Sequence, residues 1–442
     1  MLYEDVLKSP DNFDFRIPSL GECRIASPVK NRHFVGDDEE IIFASQVKNI
    51  RSLLNKSAVL PAFQKAGPRS MIFHDPAAAR AGIVTCGGLC PGLNNVIKGL
   101  VSVLFYEYGI RHISGFRYGY QGLVKKYGHA PLELSPSLVD DIHKRGGTIL
   151  SSSRGNQAAP DMVDTLEAMK INLLFCIGGD GTLRGANAIA DEIAARNAKI
   201  SVIGVPKTID NDLRFVEKTF GYETAVSTAS EIITSAHNEA EGADSGVAIV
   251  KLMGRDSGFI AAGATLANSV VDFCLVPENS FSLDGEGGLF DALEQRLAQK
   301  RHAVIVVAEG AGQELFKGVP EQRDASGNVL KNDIGVFLKD SIEKRFKKAG
   351  RPVSVKYFDP SYHIRSVAAN SSDAILCYLL AEHAVHAAFA GKTGMVIGHW
   401  NNFFTHVPIA LATAARNKID LDGALWKGVL CATQQNPLLK GS

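Results

Sequence analysis

The sequence is poor in everything that would sort it to a membrane or pull it toward a polyanion. Its 442 residues carry 47 lysines and arginines against 47 aspartates and glutamates, so there is no net field to hold nucleic acid or a membrane face. Any anion must be held by a local arrangement. No apolar run approaches the roughly 18 residues that a membrane helix needs. The opening "MLYEDVLKSPDNF" lacks the basic-then-apolar layout of a signal peptide, and the final "LLKGS" is no known sorting tag. The cytoplasm is the expected compartment. There is no repeat of fixed period and no low-complexity linker. Cysteines number seven, and Cys176 and Cys274 lie inside apolar strand-like runs, so reduced, buried thiols are expected rather than disulfides. Cys86 and Cys90 sit close together in "CGGLC", but no second Cys or His pair stands nearby to complete a four-ligand zinc site. His383 and His386, three apart, are expected on one helix face as solvated or packed groups rather than ligands.

What is present is an ordinary globular composition, 45% hydrophobic and 21% charged, in a chain long enough to suggest two domains. Residues 1 to about 77 mix prolines and polar stretches with one amphipathic patch near "IIFASQVKNIRSLLNK". They read as an arm or extension packed on the body or on a neighbouring subunit. From Ala81 the pattern changes. Short apolar runs each end in a glycine-rich or polar turn: "AGIVTCGG", "LLFCIGGDG", "SVIGVPK", "GVAIVKLMGR", "AVIVVAEGAG" and "GMVIGHW". Helix-like segments such as "TLRGANAIADEIAARN" and "YETAVSTASEIITSAHNEAEG" lie between them. Continuous apolar strands alternating with helices predict an α/β fold with a mostly parallel sheet covered on both faces. Ligands of such sheets gather at the carboxyl ends of the strands, where all these turns fall. "RDASGNVLKND", from Arg323 to Asp333, reads as an exposed hairpin or loop.

Seven stretches carry chemistry. In "CIGGDGTLRGA" the glycines Gly178, Gly179 and Gly181 let a backbone approach a ligand closely, and the helix that follows offers free N–H groups to phosphate. Asp180 among them would repel a polyphosphate unless a cation such as Mg²⁺ intervened. A plain tight turn explains the glycines and leaves the aspartate unexplained. "TCGGLCPGLNNVIKG" repeats the arrangement, and "GGTILSSSRG" ends on Arg154, a possible phosphate clamp, and Gly155. "SVIGVPKTIDNDL" places Lys207, Thr208, Asp210 and Asp212 just past a strand. An alcohol attacking a phosphoryl group needs a base and a cation, and Asp210 or Asp212 could be the base with Lys207 on the transferring group. An Asx-type turn capping the next helix is the bland alternative. Further on, "KLMGRDSG", "VAEGAG" and "KYFDPSYHIRS" bring Arg255, Glu309, Lys356, Tyr362 and Arg365, a set suited to a sugar phosphate.

Together, "CGGLCPGLNNVI", "GGDGT", "PKTIDND", "KLMGRDSG", "AEGAG" and "DPSYHIRS", in this order from about Ala81 to about Trp400, resemble a 6-phosphofructokinase of the long form that includes pyrophosphate-dependent and trypanosomatid- or plant-like ATP-dependent enzymes. "GGDGT" alone is shared with NAD kinases and diacylglycerol kinases, which lack "PKTIDND" and "MGR". The resemblance implies two doubly wound lobes with the active site between them: an extension over 1–77, a phosphoryl-donor lobe over 78–220 plus about 363–415, and a fructose 6-phosphate lobe over 221–362 plus about 416–442. It implies donor binding by Gly88, Tyr120, Arg154, Gly155, Gly179, Gly181, Thr182 and Gly185, with Asp180 on Mg²⁺. It implies sugar-phosphate binding by Lys207, Thr208, Ile209, Asp210, Met253, Gly254, Arg255, Glu309, Tyr362 and Arg365. Asp210 would be the base, Asp212 its assistant, and Lys207 and Arg154 further catalytic cations. Lys356 would reach the sugar phosphate of a neighbouring subunit, which implies a homodimer or homotetramer. Short ATP enzymes place a cross-subunit arginine seven residues before Met253, where this chain has Gly246. Tyr362 stands where short forms have histidine.

The resemblance also bears on the donor. Pyrophosphate enzymes carry an aspartate where Gly181 stands, filling space an α-phosphate would need, and they share Lys207. A steric block discriminates more strongly than an extra cation, so ATP is expected, with pyrophosphate as the alternative. A regulatory subunit that binds sugar phosphate without turnover should have lost catalytic positions, and here they are present. A nucleotide-binding sensor has no use for "TIDND" at this spacing.

Overall fold

The apolar runs form strands buried along nearly their whole length, because helices cover both faces of the sheets they build. The computed structural model describes residues 2–30, 33–57, 59–316, 318, 320–323, 329–437 and 439, which fall into two compact units. One comprises Met1–Thr208, Leu213–Gly221 and Ala368–Ala415; the other comprises Ile209–Asp212, Tyr222–Val367 and Arg416–Ser442. The chain thus changes unit inside the "KTIDND" stretch.

The first unit has a seven-stranded sheet. Across it lie Phe403–Pro408, Met395–Trp400, Ser201–Pro206, Leu173–Gly178, Ala81–Thr85, Ile113–Phe116 and Leu132–Glu133. The five inner strands are parallel and the two outer ones antiparallel. From Ala81–Thr85 the chain goes first to the neighbour on one side, Ile113–Phe116, and later to Leu173–Gly178 on the other. That reversal makes a crevice at the carboxyl ends of Ala81–Thr85 and Leu173–Gly178. The helices Leu93–Tyr106 and Asp180–Ala195 start from it.

The first 77 residues pack on this unit. A hairpin of Glu40–Ile42 and Ala62–Gln64 lies beside the outermost strand through a Lys65–Thr405 bridge, and the amphipathic patch forms the helix Val47–Leu54. Phe43 stacks on Trp400 at 5.6 Å and accepts the indole N–H at 2.9 Å, while Phe15 and Phe63 close an aromatic cluster around Phe215. Such pairs add to simple area burial, which anchors an arm with little regular structure of its own.

The second unit holds a four-stranded parallel sheet in the order Phe273–Leu275, His302–Ala308, Gly246–Leu252, Ser354–Phe358. Alternate residues of its central strands feed two cores, one with Ala248, Val250, Val304 and Val306, the other with Val247, Ile249, Ile305 and Val307. A side chain at Gly246 would collide with the carbonyl of Ala240 at the end of helix Tyr222–Glu241, which explains why no arginine stands there. Of the loop expected over Arg323–Asp333, residues 324–328 lie outside the described residues, and Arg323 and Val329 form an isolated antiparallel bridge.

Candidate active site

In the first unit two glycine-rich turns meet at the crevice. The turn after Thr85 is held by Cys86 N–H on Ile177 O at 3.0 Å and Gly87 N–H on Ser153 O at 3.1 Å. Gly87 and Gly92 adopt φ of +86° and +100°, open to glycine and strained for other residues. Ser152 donates to Gly87 O at 2.6 Å, so the segment leading to Arg154 is tied to this turn, and a β-carbon on Gly88 would lie 3.7 Å from the Arg154 guanidinium. Arg154 itself is exposed and Gly155, at φ +98°, completes its bend.

The second turn opens the helix Asp180–Ala195 from Gly179. Asp180 sits at the first helical position with only 12% of its side chain exposed, ion-paired to Arg184 at 3.2 Å. Nothing lies within 4 Å of a β-carbon built on Gly181. Tyr120 is buried and donates its hydroxyl to Thr182 O at 2.6 Å, and its ring fills the place of a side chain at Gly185. Tyr120 and Gly185 therefore support the helix start from beneath, and Thr182 is buried with them. Lys207, also buried, donates its ammonium to Gly88 O at 2.8 Å and its backbone N–H to Gly178 O at 3.0 Å, so one residue bridges both turns. Thr208 follows it, its carbonyl accepting from Thr219 at 2.6 Å.

In the second unit Ile209 packs against the core and leads to Asp210, whose Oδ1 is buried with no hydrogen-bond partner among the described residues. Burial and the carboxylates of Asp212 and Glu309 push the Asp210 carboxyl up to about 7, against the opposing pull of Arg365 and Arg416. Asn211 turns the chain at φ +52°, a conformation asparagine tolerates. Asp212 is buried and bonded by Arg416 at 2.8 Å. After the strand Gly246–Leu252 come buried Met253, Gly254 at φ +132° and half-buried Arg255. The Glu309 turn is laced to them by Glu309 N–H on Leu252 O at 2.9 Å and Gly310 N–H on Gly254 O at 3.0 Å. A β-carbon on Gly310 would strike the Arg255 carbonyl, so the first glycine of "EGAG" answers to backbone packing. Arg365 and exposed Tyr362 lie on the short helix Ser361–Ser366. Lys356 is half-exposed and 3.5 Å from Glu239.

Arg416 and Glu278 had no sequence signal, and Lys251, though it opens "KLMGRDSG", was given no role. Arg416, 204 residues from Asp212, comes back from the C-terminal segment. Glu278 is a largely buried carboxyl that accepts Gly258 N–H at 3.1 Å and Ile419 N–H at 2.9 Å. Lys251 bonds both Asp333 and Asp359 at 2.9 Å. Only the pairing of distant segments reveals them. Elsewhere, Cys86 and Cys90 are buried thiols, Cys90 donating to Phe220 O at 3.3 Å, and His386 is buried with Nδ1 2.9 Å from the Tyr108 hydroxyl. Among the described residues no group of three or more His, Cys, Asp or Glu could hold a metal by protein ligands alone, and no helix is long and apolar enough to cross a membrane.

One unit with a mostly parallel sheet and glycine-rich turns at its crevice, and another with a parallel sheet and a buried carboxylate pair, define a doubly wound α/β class. The phosphofructokinase profile matches residues 80–388. The ATP-dependent 6-phosphofructokinase of Borreliella burgdorferi is 47% identical over 438 residues, covering 96% of this chain and 97% of that protein. That of Trypanosoma brucei brucei is 44% identical over 433 residues, covering 96% and 88%. Among solved structures, a pyrophosphate-dependent phosphofructokinase from Marinobacter aquaeolei matches with a TM-score of 0.67 at 19% identity, covering 82% of this chain and 92% of that one. At that identity the likeness speaks to the fold alone. The chain belongs to the phosphofructokinase family.

Proposed function

We propose that this protein transfers the terminal phosphoryl group of ATP to the 1-hydroxyl of fructose 6-phosphate, giving fructose 1,6-bisphosphate and ADP, with Asp210 as the base. The observation that carries the base assignment is the buried, unpartnered Oδ1 of Asp210 on a carboxyl raised to about 7. A base of that strength is about half unprotonated at pH 7 and increasingly so above it, and binds a proton strongly enough to take it from an alcohol in the transition state. The new C1 O–P bond forms as the bond to the ADP oxygen breaks, and the hydroxyl proton passes to Asp210.

The backbone N–H groups of the two glycine turns would cradle the polyphosphate, with Lys207 and Arg154 spreading its charge. Asp180 is the residue that would hold Mg²⁺: a single carboxylate at a phosphate turn is the donor set this ion commonly accepts, the rest coming from phosphate and water. Bound there, the ion would supply charge neutralisation between phosphate oxygens. Arg255 and Arg365 suit the 6-phosphate, and Glu309 the sugar hydroxyls. The open space at Gly181 supports a nucleotide; Lys207 beside the Gly88 turn is the one observation that favours pyrophosphate. Half-exposed Lys356 supports a homodimer or homotetramer in which it reaches a neighbour's sugar phosphate, and the cytoplasm is the compartment we infer.

Purified protein with fructose 6-phosphate and Mg²⁺, offered ATP or pyrophosphate in parallel, tests the reading. ATP should support turnover, and Asp210→Ala should lower it by roughly 10²–10⁴-fold with fructose 6-phosphate affinity near normal. Turnover on pyrophosphate alone would overturn the donor, and full turnover by Asp210→Ala would overturn the base.

A further inference from the structure

Asp212 presents a buried carboxylate two residues from the Asp210 base, a placement that by itself would keep Asp210 protonated, since like charges close together cannot both ionise easily. The structure puts a cation, Arg416, against it. Arg416 Nη1 donates to Asp212 Oδ2 at 2.8 Å, with 31% of the arginine side chain exposed and 4% of the aspartate. The backbone reinforces the contact, because Asn417 N–H donates to Asp212 O at 2.8 Å. Two residues further on, Ile419 N–H bonds to Glu278 Oε1, which also takes Gly258 N–H at the start of helix Phe259–Asn268. Ser257, next to Gly258, points its hydroxyl at Asp210 O at 3.5 Å. The C-terminal segment is therefore fastened at Glu278 to the same turn that borders the base.

Resting on the reading of Asp210 as the base, we propose that Arg416 is a positioning residue for it: the guanidinium holds the Asp212 carboxylate in place and its charge offsets the repulsion between the two carboxylates, while Glu278 holds the segment that carries Arg416. The charged groups that face Asp210 are Asp212 on its own turn, Glu309 after the strand His302–Ala308, Arg365 on the helix Ser361–Ser366, and Arg416. Arg365 is placed to meet substrate phosphate. Arg416 bonds Asp212, and its charge also pulls against protonation of Asp210.

The test separates charge from shape. Arg416→Gln keeps a hydrogen-bond donor toward Asp212 and removes the charge; Arg416→Lys keeps the charge. In the intact enzyme, kcat should rise with pH along an acid limb set by Asp210, and Asp210→Asn should abolish that limb. In Arg416→Gln the limb should move about one pH unit to the alkaline side, with KM for fructose 6-phosphate changed less than threefold, and Arg416→Lys should bring it back to within about 0.3 unit. An unmoved limb in Arg416→Gln, with or without a lower kcat, overturns the proposal, as does a rise in KM alone, which would make Arg416 a substrate ligand. Should the acid limb survive in Asp210→Asn, the base reading itself fails, and the two failures are thereby distinct. Glu278→Ala provides a readout away from the carboxylates: an alkaline shift of the same sense supports the tether, and a wild-type profile overturns it.

Discussion

The ring of Tyr120 occupies the place of a side chain at Gly185, and its hydroxyl closes on the carbonyl of Thr182 at 2.6 Å. A β-carbon at Gly185 would lie 2.5 Å from Tyr120 Cε2. The first turn of the helix after "GGDG" thus rests on one buried aromatic side chain. Gly185→Ala must push the ring or the helix aside, an overpacking that typically costs about 1–3 kcal/mol. The expected result is a lower thermal midpoint and a KM for ATP raised at least fivefold, with KM for fructose 6-phosphate unchanged. Tyr120→Phe should lose only the hydrogen bond, about 1 kcal/mol, with kinetics close to wild type. Initial rates against each substrate and a melting scan check both, and a Gly185→Ala enzyme with normal ATP kinetics would show that this helix start is not at the donor.

Gly181 makes the opposite case. With nothing within 4 Å of an added β-carbon, the side chain of Gly181→Asp starts into open space. An acidic side chain in the first turn of a helix is, if anything, favourable for the fold. Stability should stay within about 0.5 kcal/mol of wild type, as for substitutions that touch nothing. The effect should fall on the donor: kcat/KM for ATP down by on the order of 10²-fold, through the space and charge the carboxylate adds beside the polyphosphate, and any pyrophosphate activity much less affected. Equal loss with both donors would sink the steric account of donor choice.

How far the sequence reveals this site follows from what each residue type needs. The strands could be read because residues buried on both faces leave an unbroken apolar run, and the turns because glycine and aspartate at a strand end have few structural reasons to occur together. Tyr120 could be placed near the donor turn only through the family resemblance, and its support of Thr182 is a contact across 62 residues with no local pattern. Arg416 and Glu278 were invisible for the same reason: an arginine in "AARNKID" and a glutamate in "VPENS" look like surface residues until the fold brings them to Asp212 and to Gly258. The arm over the first 77 residues was legible as different in kind, but its seat was not, since that depends on Phe215 and Trp400 from far along the chain.

Buried neutral histidines make the fold acid-sensitive. Burial holds His74 and His383 down at about 4, and His406 falls well below its usual value with Arg69 and Lys392 adding to the effect. Between pH 6.5 and 4 the unfolded chain binds protons at these residues that the folded protein does not, so their contribution to stability falls as pH falls, by about 1.4 kcal/mol per pH unit for each. Asp210 and Glu278 act in the opposite sense, because their carboxyls are raised in the fold and gain from acid. A variant isolates one histidine: His74→Asn should lose less of its thermal midpoint than wild type between pH 6.5 and 5. Parallel losses in the two proteins would mean that His74 is protonated within the folded state.

Lys251 offers the last separation of roles. Its ammonium lies between Asp333 and Asp359, 2.9 Å from each, with only 13% of the side chain exposed. Asp333 caps the helix Ile334–Lys348 by accepting from Gly335 and Val336, and also accepts from the Tyr357 hydroxyl at 3.0 Å. Asp359 opens the turn into the helix of Tyr362 and Arg365, and Lys251 itself stands two residues before Met253. The lysine therefore joins the strand end that carries Arg255 to the helix that carries Arg365. Lys251→Met keeps the apolar stem and removes the ion pair with Asp359, which unties the strand end from that helix, while Asp333 and Asp359 are left to repel one another. If both arginines hold the 6-phosphate, KM for fructose 6-phosphate should rise about tenfold, equivalent to about 1.4 kcal/mol, while kcat and KM for ATP change less than threefold. A matching rise in KM for ATP would mean that the substitution acts on the fold as a whole and not on the sugar-phosphate side.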